Sequence, residues 1–478
     1  MLKLLHRLRA RYQYRHEEAG GFKNLILHTA FALSLTSGLS YFLGLVRDKS
    51  FAYTFGASAE LDVYNAAFVI PDLLLAVLVT SALSAAFVPI FSNFDEQQKA
   101  KAIRYTNQVL SYGLLFLAIV CAVFALILPN IVDFLVPGFN HEQQAQYISI
   151  TRLMLISPFL FTISNTFGNA LISIKEFLWY GLSPVMYNLG IVMGVILFVP
   201  SMGLMGLVLG TVLGAFLHLL IRIPSMIRYG YRPRVELEIT PEIRETVLLM
   251  LPKIAQIGMW QLLLWWFVRL ASQLEEGSVT IYSFARNFQS VPVSLVGIAI
   301  ALAAFARLSH VASNRDYKEF VKTVKEKTRI ILLYTTPAAL AMGILSYPMV
   351  NILLGGGKFD ATAVSATASL LLVYCLSIPL ESLMHLLSRA HYAMKNTLRP
   401  SAIHVFTIAM TMLSSSLLLG PIGLFAIPAG FTVGLFLQII LLKLSLAHLL
   451  RRHRSAGGQG LFFRLLRLLR SSGTLREP

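Results

Sequence analysis

The chain has 478 residues, of which 56% are hydrophobic and only 13% are charged, and its mean hydropathy is +0.68. Because soluble globular proteins carry about 25% charged residues, this composition excludes an ordinary soluble domain and indicates a polytopic all-α membrane protein. The formal net charge of +17 does not call for a nucleic-acid partner, since basic cytoplasmic loops account for the same excess. We predict no cofactor and no bound metal, because no metal-site or phosphate-loop motif occurs.

Hydrophobic windows of the roughly 20 residues needed to cross a bilayer predict about twelve helices. A basic N-terminal extension, residues 1–24, precedes them, and a basic tail, residues 449–478, follows. Within the tail, residues 461–470 fit either a short helix on the inner leaflet or a disordered segment. The predicted helices, in chain order, are 25–46, 62–92, 107–134, 147–174, 178–199, 203–222, 245–273, 277–306, 330–355, 361–394, 398–419 and 422–448.

Lysine and arginine are distributed unevenly between the two sides of these helices. All but seven of the 40 lie in segments that are predicted to face the same side of the membrane, namely 1–24, 93–106, Lys175, 222–244, 307–329, 389–399 and 443–478. Since positive charge collects on the cytoplasmic side, both termini are predicted to be cytoplasmic. The seven exceptions are Arg47, Lys49, Arg152, Lys253, Arg269, Arg286 and Lys358.

The two halves of the sequence resemble each other weakly at an offset of about 220 residues. Each half holds six predicted helices, which is typical of parallel repeats that bind substrate between them; a generic bundle with coincidental prolines is the alternative. We therefore expect an N-lobe over 25–222, a cytoplasmic linker over 223–244 and a C-lobe over 245–448, around a central cavity. The paired landmarks are Arg47 with Arg269, Pro71 with Pro292, Pro158 with Pro379, Lys175 with Lys395, and Gly203 with Gly420.

Charged side chains in or near apolar helices mark either a functional site or a buried ion pair. Helices one, two, seven and eight are related by the repeat, so their charged residues are expected to converge on one cavity. For residues at the helix ends, a hydrated position at the membrane interface is the alternative. The candidates are Arg47, Asp48, Asp62, Asp72, Arg269, Arg286 and Asn287.

Helix ten carries a further charged set. Glu381, His385 and Arg389 are spaced four residues apart and share one helix face. They fit either an internal pair that faces the bundle or the wet inner end of the helix. Lys395 and Arg399 follow closely, which favours the wet inner end.

Helices one and two also carry a family resemblance. The run LGLVRDKSFAYTFGASAELDVYNAAFVIPDLL, followed by SALSAAFVPIF, resembles the MviN/MurJ family of lipid II flippases, within the multidrug/oligosaccharidyl-lipid/polysaccharide exporter superfamily. In that family an Arg-Asp ends helix one, an Asp begins helix two, and a Pro-Asn-Leu-Leu-like step and an Ala-Phe-x-Pro follow in this order. Arg47, Asp48 and Asp62 match these positions.

The resemblance implies a membrane transporter of the inner membrane and not an enzyme. It implies translocation of a lipid II-like, polyprenyl-pyrophosphate-linked saccharide to the outer leaflet by alternating access, in peptidoglycan synthesis. Membrane lipids and cell-wall synthesis proteins are the other expected partners. We assign anion contacts to Arg47, Arg269 and Arg286, and orienting or gating roles to Asp48, Asp62, Asp72 and Asn287.

The chain departs from the family pattern at several cations. Tyr41 stands where the family has an Arg in helix one, Leu75-Ala76 replaces an Arg-Arg, and Arg286-Asn287 replaces an Asp-Arg. Two other functions therefore stay open. One is a cation-coupled exporter of drugs or metabolites, and the other is a non-transporting scaffold for cell-wall synthesis.

Overall fold

The computed structural model describes residues 21–94 and 96–471, and within these ranges it is helical, with one isolated bridge between Gly356 and Phe359. Eight of the described helices are long and apolar enough to cross a membrane, or up to ten if each of two bent pairs is one span. The all-helical membrane fold is confirmed, whereas the count of twelve crossings is not. We number the helices α1 Gly21–Phe55, α2 Ala59–Phe91, α3 Lys99–Leu135, α4 His141–Ser173, α5 Phe177–Leu197, α6 Leu204–Arg228, α7 Pro241–Ala271, α8 Ser278–Ser313, α9 Tyr317–Ile344 with Ser346–Leu353, α10 Ala361–Cys375 with Ser377–Ala393, α11 Leu398–Ile422 and α12 Ala426–Ser471.

The chain forms two compact units. The first runs to Trp265 and also includes Gly356–Phe359, and the second comprises Trp266–Gly355 and the residues from Asp360 onward. The division falls inside α7, after the predicted linker, and the lobe boundaries drawn from the sequence stay a prediction.

The connection between α6 and α7 is fixed along α3. The Asn107 side chain donates to the carbonyl of Arg232 (3.0 Å) and accepts from the Tyr231 hydroxyl (2.6 Å). One residue further along α3, Gln108 donates to the carbonyl of Glu238 (3.2 Å). These bonds satisfy backbone groups that have no helical partner. The connection therefore belongs structurally to the first unit.

Helices α5 and α6 form an antiparallel hairpin with very close backbones. A Cβ added at Gly194 would lie 2.3 Å from the Gly210 Cα, and one at Gly190 would lie 2.4 Å from the Gly214 Cα. Only glycine permits this approach, because any side chain would overlap the facing backbone. The small-residue spacing of Gly206, Gly210 and Gly214 is therefore a packing motif, as its sequence pattern indicates.

The same backbone features recur in both units. Lys175 and Lys395 follow α4 and α10 with φ of 64° and 57°. Gly203 (φ 55°, ψ −135°) and Gly423 (φ 54°, ψ −134°) follow α5 and α11 with nearly identical backbones. Gly203 thus corresponds to Gly423 and not, as the sequence comparison suggested, to Gly420.

Both repeat-related prolines of α4 and α10 lie just beyond a break in the helix. The breaks are at Leu155 and Leu376, three residues before Pro158 and Pro379. A proline ring clashes with the carbonyl four residues earlier, which explains why each helix restarts there. The two parts of α10 are bent by 41° at this break.

The α5–α6 hairpin yields a stability prediction. We expect Gly194→Ala to lower the free energy of unfolding by about 1–3 kcal/mol, because neither backbone can move away from the new methyl group. Thermal unfolding of the purified protein in detergent measures this effect. Gly38→Ala in α1 is the control, since a Cβ there meets nothing within 4 Å. Equal melting temperatures for the two variants would contradict the packing role.

Candidate functional site

In the first unit, Arg47 near the end of α1 is held by two polar partners. Its Nη2 lies 2.8 Å from Asp48 Oδ1, and its Nη1 donates to Asn188 Oδ1 at 3.1 Å. Asn188 belongs to α5 and donates in turn to the Ser40 carbonyl (3.2 Å). The side chains of Arg47 and Asp48 are 24% and 11% exposed. The predicted Arg-Asp motif, residues 47 and 48, is therefore a partly buried ion pair. The bond from Arg47 to Asn188 connects α1 with α5.

The two predicted aspartates of α2 have different surroundings. Asp62 is buried in the first helical turn, where a negative charge is favoured by the unpaired backbone N–H groups. Asp72 is partly buried one residue after Pro71 and lines a narrow pocket beside Ser157 of α4 and Thr211 of α6. Among the described residues that line this pocket, Asp72 is the single charged one.

In the second unit, Arg286 of α8 forms a two-pronged ion pair with Glu381 of α10. Arg286 Nη2 lies 3.1 Å from Oε1, and Nη1 lies 3.2 Å from Oε2. The two side chains are only 14% and 6% exposed. The ring of Phe431, on α12, lies 5.0 Å from the guanidinium carbon. A parallel pair of this kind is among the strongest charge-assisted contacts in proteins.

This pair corrects the sequence interpretation of helix ten. Glu381 is buried against α8, so it is an internal partner and not part of a wet helix end. Arg389 is partly buried and donates to the carbonyl of His385 in its own helix (3.2 Å). The interpretation failed because the partner of Glu381 lies 95 residues away in the sequence.

The remaining predicted residues lie apart along α7 and α8. Arg269 is partly buried, and its guanidinium carbon lies 5.3 Å from the ring of Trp266. Asn287 is exposed, and its carbonyl accepts from the Ser290 hydroxyl. The convergence of cations from both halves on one central chamber stays a prediction.

Sequence reasoning missed Arg222, which it counted among the cations predicted to face the cytoplasm. The residue is 2% exposed and lies in α6 just before its last short segment, Ile223–Arg228. Its Nε donates to Ser183 Oγ (2.7 Å) and its Nη1 donates to the Ser164 carbonyl. The ring of Tyr180 lies 5.2 Å from the guanidinium carbon. Every described partner is neutral, so the first unit buries a guanidinium among hydroxyl, carbonyl and aromatic groups.

One sequence signal points to this burial. Arg222 lies four residues after His218, which lies four after Gly214, so all three share the α6 face that packs closely on its neighbours. Gly168 of α4 makes room for the guanidinium, because a Cβ there would lie 2.5 Å from Nη1. Sequence hydropathy alone cannot separate such a residue from a loop cation.

An apolar groove of about 820 Å³ opens on the second unit between α9, α10 and α12. Its wall includes Leu332, Leu387 and Leu446, and Lys325 and Lys443 are among its basic residues. Such a combination of an apolar wall and basic groups suits a lipid chain with an anionic head group.

Comparison with known proteins identifies the family. Residues 51–469 match the family described as lipid II flippase MurJ. The chain belongs to the MurJ family. The match extends far beyond the first two helices, on which the sequence resemblance mainly rested, and confirms that resemblance.

Curated MurJ relatives align over most of their length. The lipid II flippase MurJ of Burkholderia cenocepacia is 27% identical over 435 residues, which cover 89% of this chain and 83% of that protein. A probable lipid II flippase MurJ of Bdellovibrio bacteriovorus is 28% identical over 444 residues, with the same coverage.

Solved structures show the same fold. A lipid II flippase MurJ in an inward closed conformation matches with a TM-score of 0.76 at 21% identity, covering 87% of each chain. An inward-facing multidrug resistance MATE family transporter of the MOP superfamily matches with a TM-score of 0.73 at 13% identity, covering 87% of this chain and 96% of that one. At these identities the matches establish architecture alone.

The buried Arg222 of this MurJ protein gives a second prediction. We expect Arg222→Lys to lower the free energy of unfolding by about 1–3 kcal/mol, because an ammonium group cannot reach the Ser183 and Ser164 acceptors together and leaves one unsatisfied. Thermal unfolding in detergent is the measurement. Arg228→Lys, at an exposed position of the same helix, is the matched control and should change stability by less than about 0.5 kcal/mol. A stability loss no larger than that of the control would show that the neutral cluster is not structurally important.

Proposed function

We propose that this chain is a flippase that moves lipid II, or a closely similar polyprenyl-pyrophosphate-linked saccharide, from the inner to the outer leaflet. The observation that carries the proposal is the match to the MurJ family over residues 51–469. The chain also aligns with 83% of a lipid II flippase from Burkholderia cenocepacia. This alignment supports the proposal because it spans most of that transporter and not a single segment.

The chemistry of the substrate fits the arginines of the chain. A diphosphate presents several anionic oxygens, and the planar guanidinium binds such oxygens in pairs. Arg47 is held by Asp48 and Asn188, so its side chain is already ordered before an anion arrives, which lowers the entropy lost on binding. We propose diphosphate contacts by Arg47, Arg269 and Arg286, and orienting or gating roles for Asp48, Asp62, Asp72 and Asn287.

Transport would proceed by alternating access in the inner membrane, with both termini in the cytoplasm. A cationic binding site responds to the membrane potential, since one elementary charge that crosses 100 mV changes in free energy by about 2.3 kcal/mol. The potential would therefore act on the net charge of the empty site, to which the Arg47–Asp48 and Arg286–Glu381 pairs contribute none. Cell-wall synthesis proteins remain proposed partners.

A cation-coupled exporter is the second candidate, because a multidrug resistance MATE transporter shares the fold. That match, at 13% identity, concerns architecture and does not carry over a substrate. Relatedness over 83% of a lipid II flippase favours the first candidate.

The test is leaflet-resolved labelling of lipid II in cells that depend on this chain after depletion of their own flippase. We expect the unmutated chain to restore lipid II in the outer leaflet. We expect Arg47→Gln to reduce the transport rate about tenfold, equivalent to about 1.4 kcal/mol, because one charged contact to the diphosphate is lost. Immunoblots of the membrane fraction establish that the variants are present in equal amounts.

Arg152→Gln is the control, because Arg152 is exposed and donates to the Ala125 carbonyl, away from the proposed anion contacts. It should leave transport unchanged. Failure of the unmutated chain to restore outer-leaflet lipid II rejects the flippase proposal. Normal transport by Arg47→Gln rejects only the proposed role of Arg47 and leaves the flippase proposal standing.

A further inference from the structure

Arg286 has little capacity left for a substrate anion. Both of its terminal nitrogens already bind the two oxygens of Glu381, in the arrangement that would otherwise receive a phosphate. Nη1 also donates to the side chain of Gln289. A diphosphate that approaches this site therefore meets an ion pair of zero net charge.

Glu381 is firmly positioned by a network of its own. Gln289, which is fully buried, donates from Nε2 to Glu381 Oε2 (2.9 Å) and to the Ser377 hydroxyl (2.9 Å). The hydroxyl donates to the carbonyl of Tyr374 (2.6 Å). The carboxylate thus keeps a hydrogen-bond donor on α8 even when Arg286 turns to another partner.

The energetics favour exchange of partners over separation. A guanidinium without a partner in a low-dielectric site is strongly destabilising, whereas one that passes from one anion to another is never uncompensated. After the exchange, Glu381 stays negative beside the bound diphosphate and repels it. This repulsion lowers the affinity for the substrate and promotes its release, as transport requires of any binding site.

We propose that Glu381 is a competitor for Arg286 that is built into the protein and sets how tightly the second unit binds a diphosphate. It is a positioning residue, because it acts through Arg286. The inference rests on the proposed function, in which Arg286 contacts the diphosphate of a lipid-linked substrate. Loading breaks the Arg286–Glu381 pair, and release restores it, so the pair resets the empty site.

The experiment measures equilibrium binding of radiolabelled farnesyl diphosphate to the full chain in lipid nanodiscs. We expect Glu381→Gln to bind the probe about tenfold more tightly than the unmutated chain, because the competing charge is removed while the shape is kept. Glu381→Asp keeps the charge and should bind like the unmutated chain. Ser388→Ala, on the same helix, removes a hydroxyl that contacts Met384 Sδ outside this network and changes no charge. It is the matched control and should also leave affinity unchanged.

A double variant tests whether the effect passes through Arg286. In Arg286→Gln with Glu381→Gln, the gain in affinity should disappear, and the affinity should equal that of Arg286→Gln alone. The double variant buries no unpaired charge, so it can be measured even if Glu381→Gln alone is unstable. For an unstable Glu381→Gln, the measurement is the rise in melting temperature caused by the probe. That rise should be larger in Glu381→Gln than in the unmutated chain.

The outcomes separate this inference from the proposed function. Unchanged affinity in Glu381→Gln, or a gain that persists without Arg286, overturns the competitor role even if the chain transports lipid II. Conversely, a tenfold gain that depends on Arg286, in a chain that fails to restore outer-leaflet lipid II, supports the competitor role and rejects the flippase proposal. If Glu381 had only a structural role, its substitution would lower the melting temperature. The affinity for the probe would then show no change that depends on Arg286.

Discussion

A guanidinium inside a bundle of membrane helices must find its partners within the protein, because the hydrocarbon offers none. Three of the described arginines meet this constraint in different ways. Arg47 uses an adjacent aspartate and an amide from another helix, Arg286 uses a distant glutamate, and Arg222 uses neutral oxygens and a tyrosine ring. Each choice ties together helices that are separate in the sequence. These polar contacts therefore stabilise the buried guanidinium groups and also hold the helices together.

The order of the helices followed from hydropathy, but their ends did not. Residues 107–134 were predicted as the third helix, whereas α3 spans Lys99–Leu135, because a hydropathy window detects only the apolar part of a helix that continues into water. The number of crossings depends on breaks at positions such as Leu345 and Leu376. Leucine is a good helix former, so nothing at these positions themselves announces a break.

The candidate site was predictable where its partners are close in the sequence. Arg47 and Asp48 are neighbours, and their pairing was visible as a motif. Arg286 and Glu381 are 95 residues apart in the sequence, and Arg222 and Ser183 are 39 residues apart. Such pairs form only when helices pack, so a single sequence without an alignment cannot assign them. Basic residues nearby in the sequence made Glu381 and Arg222 appear to be solvated charges.

The left-handed residues Lys175 and Lys395 lead to a conclusion about ancestry. The position after a helix that takes this conformation is usually glycine or asparagine, and a side chain of any length is strained there. Independent origin of the same disfavoured residue at matching points of both halves is improbable, which favours descent from one duplicated gene. A duplicated unit of six helices, as predicted for each half, would have assembled as a homodimer before fusion. Fusion then freed each copy to diverge. At the offset that relates Pro158 to Pro379, Glu381 corresponds to Leu160, so the two copies differ in charge at this position.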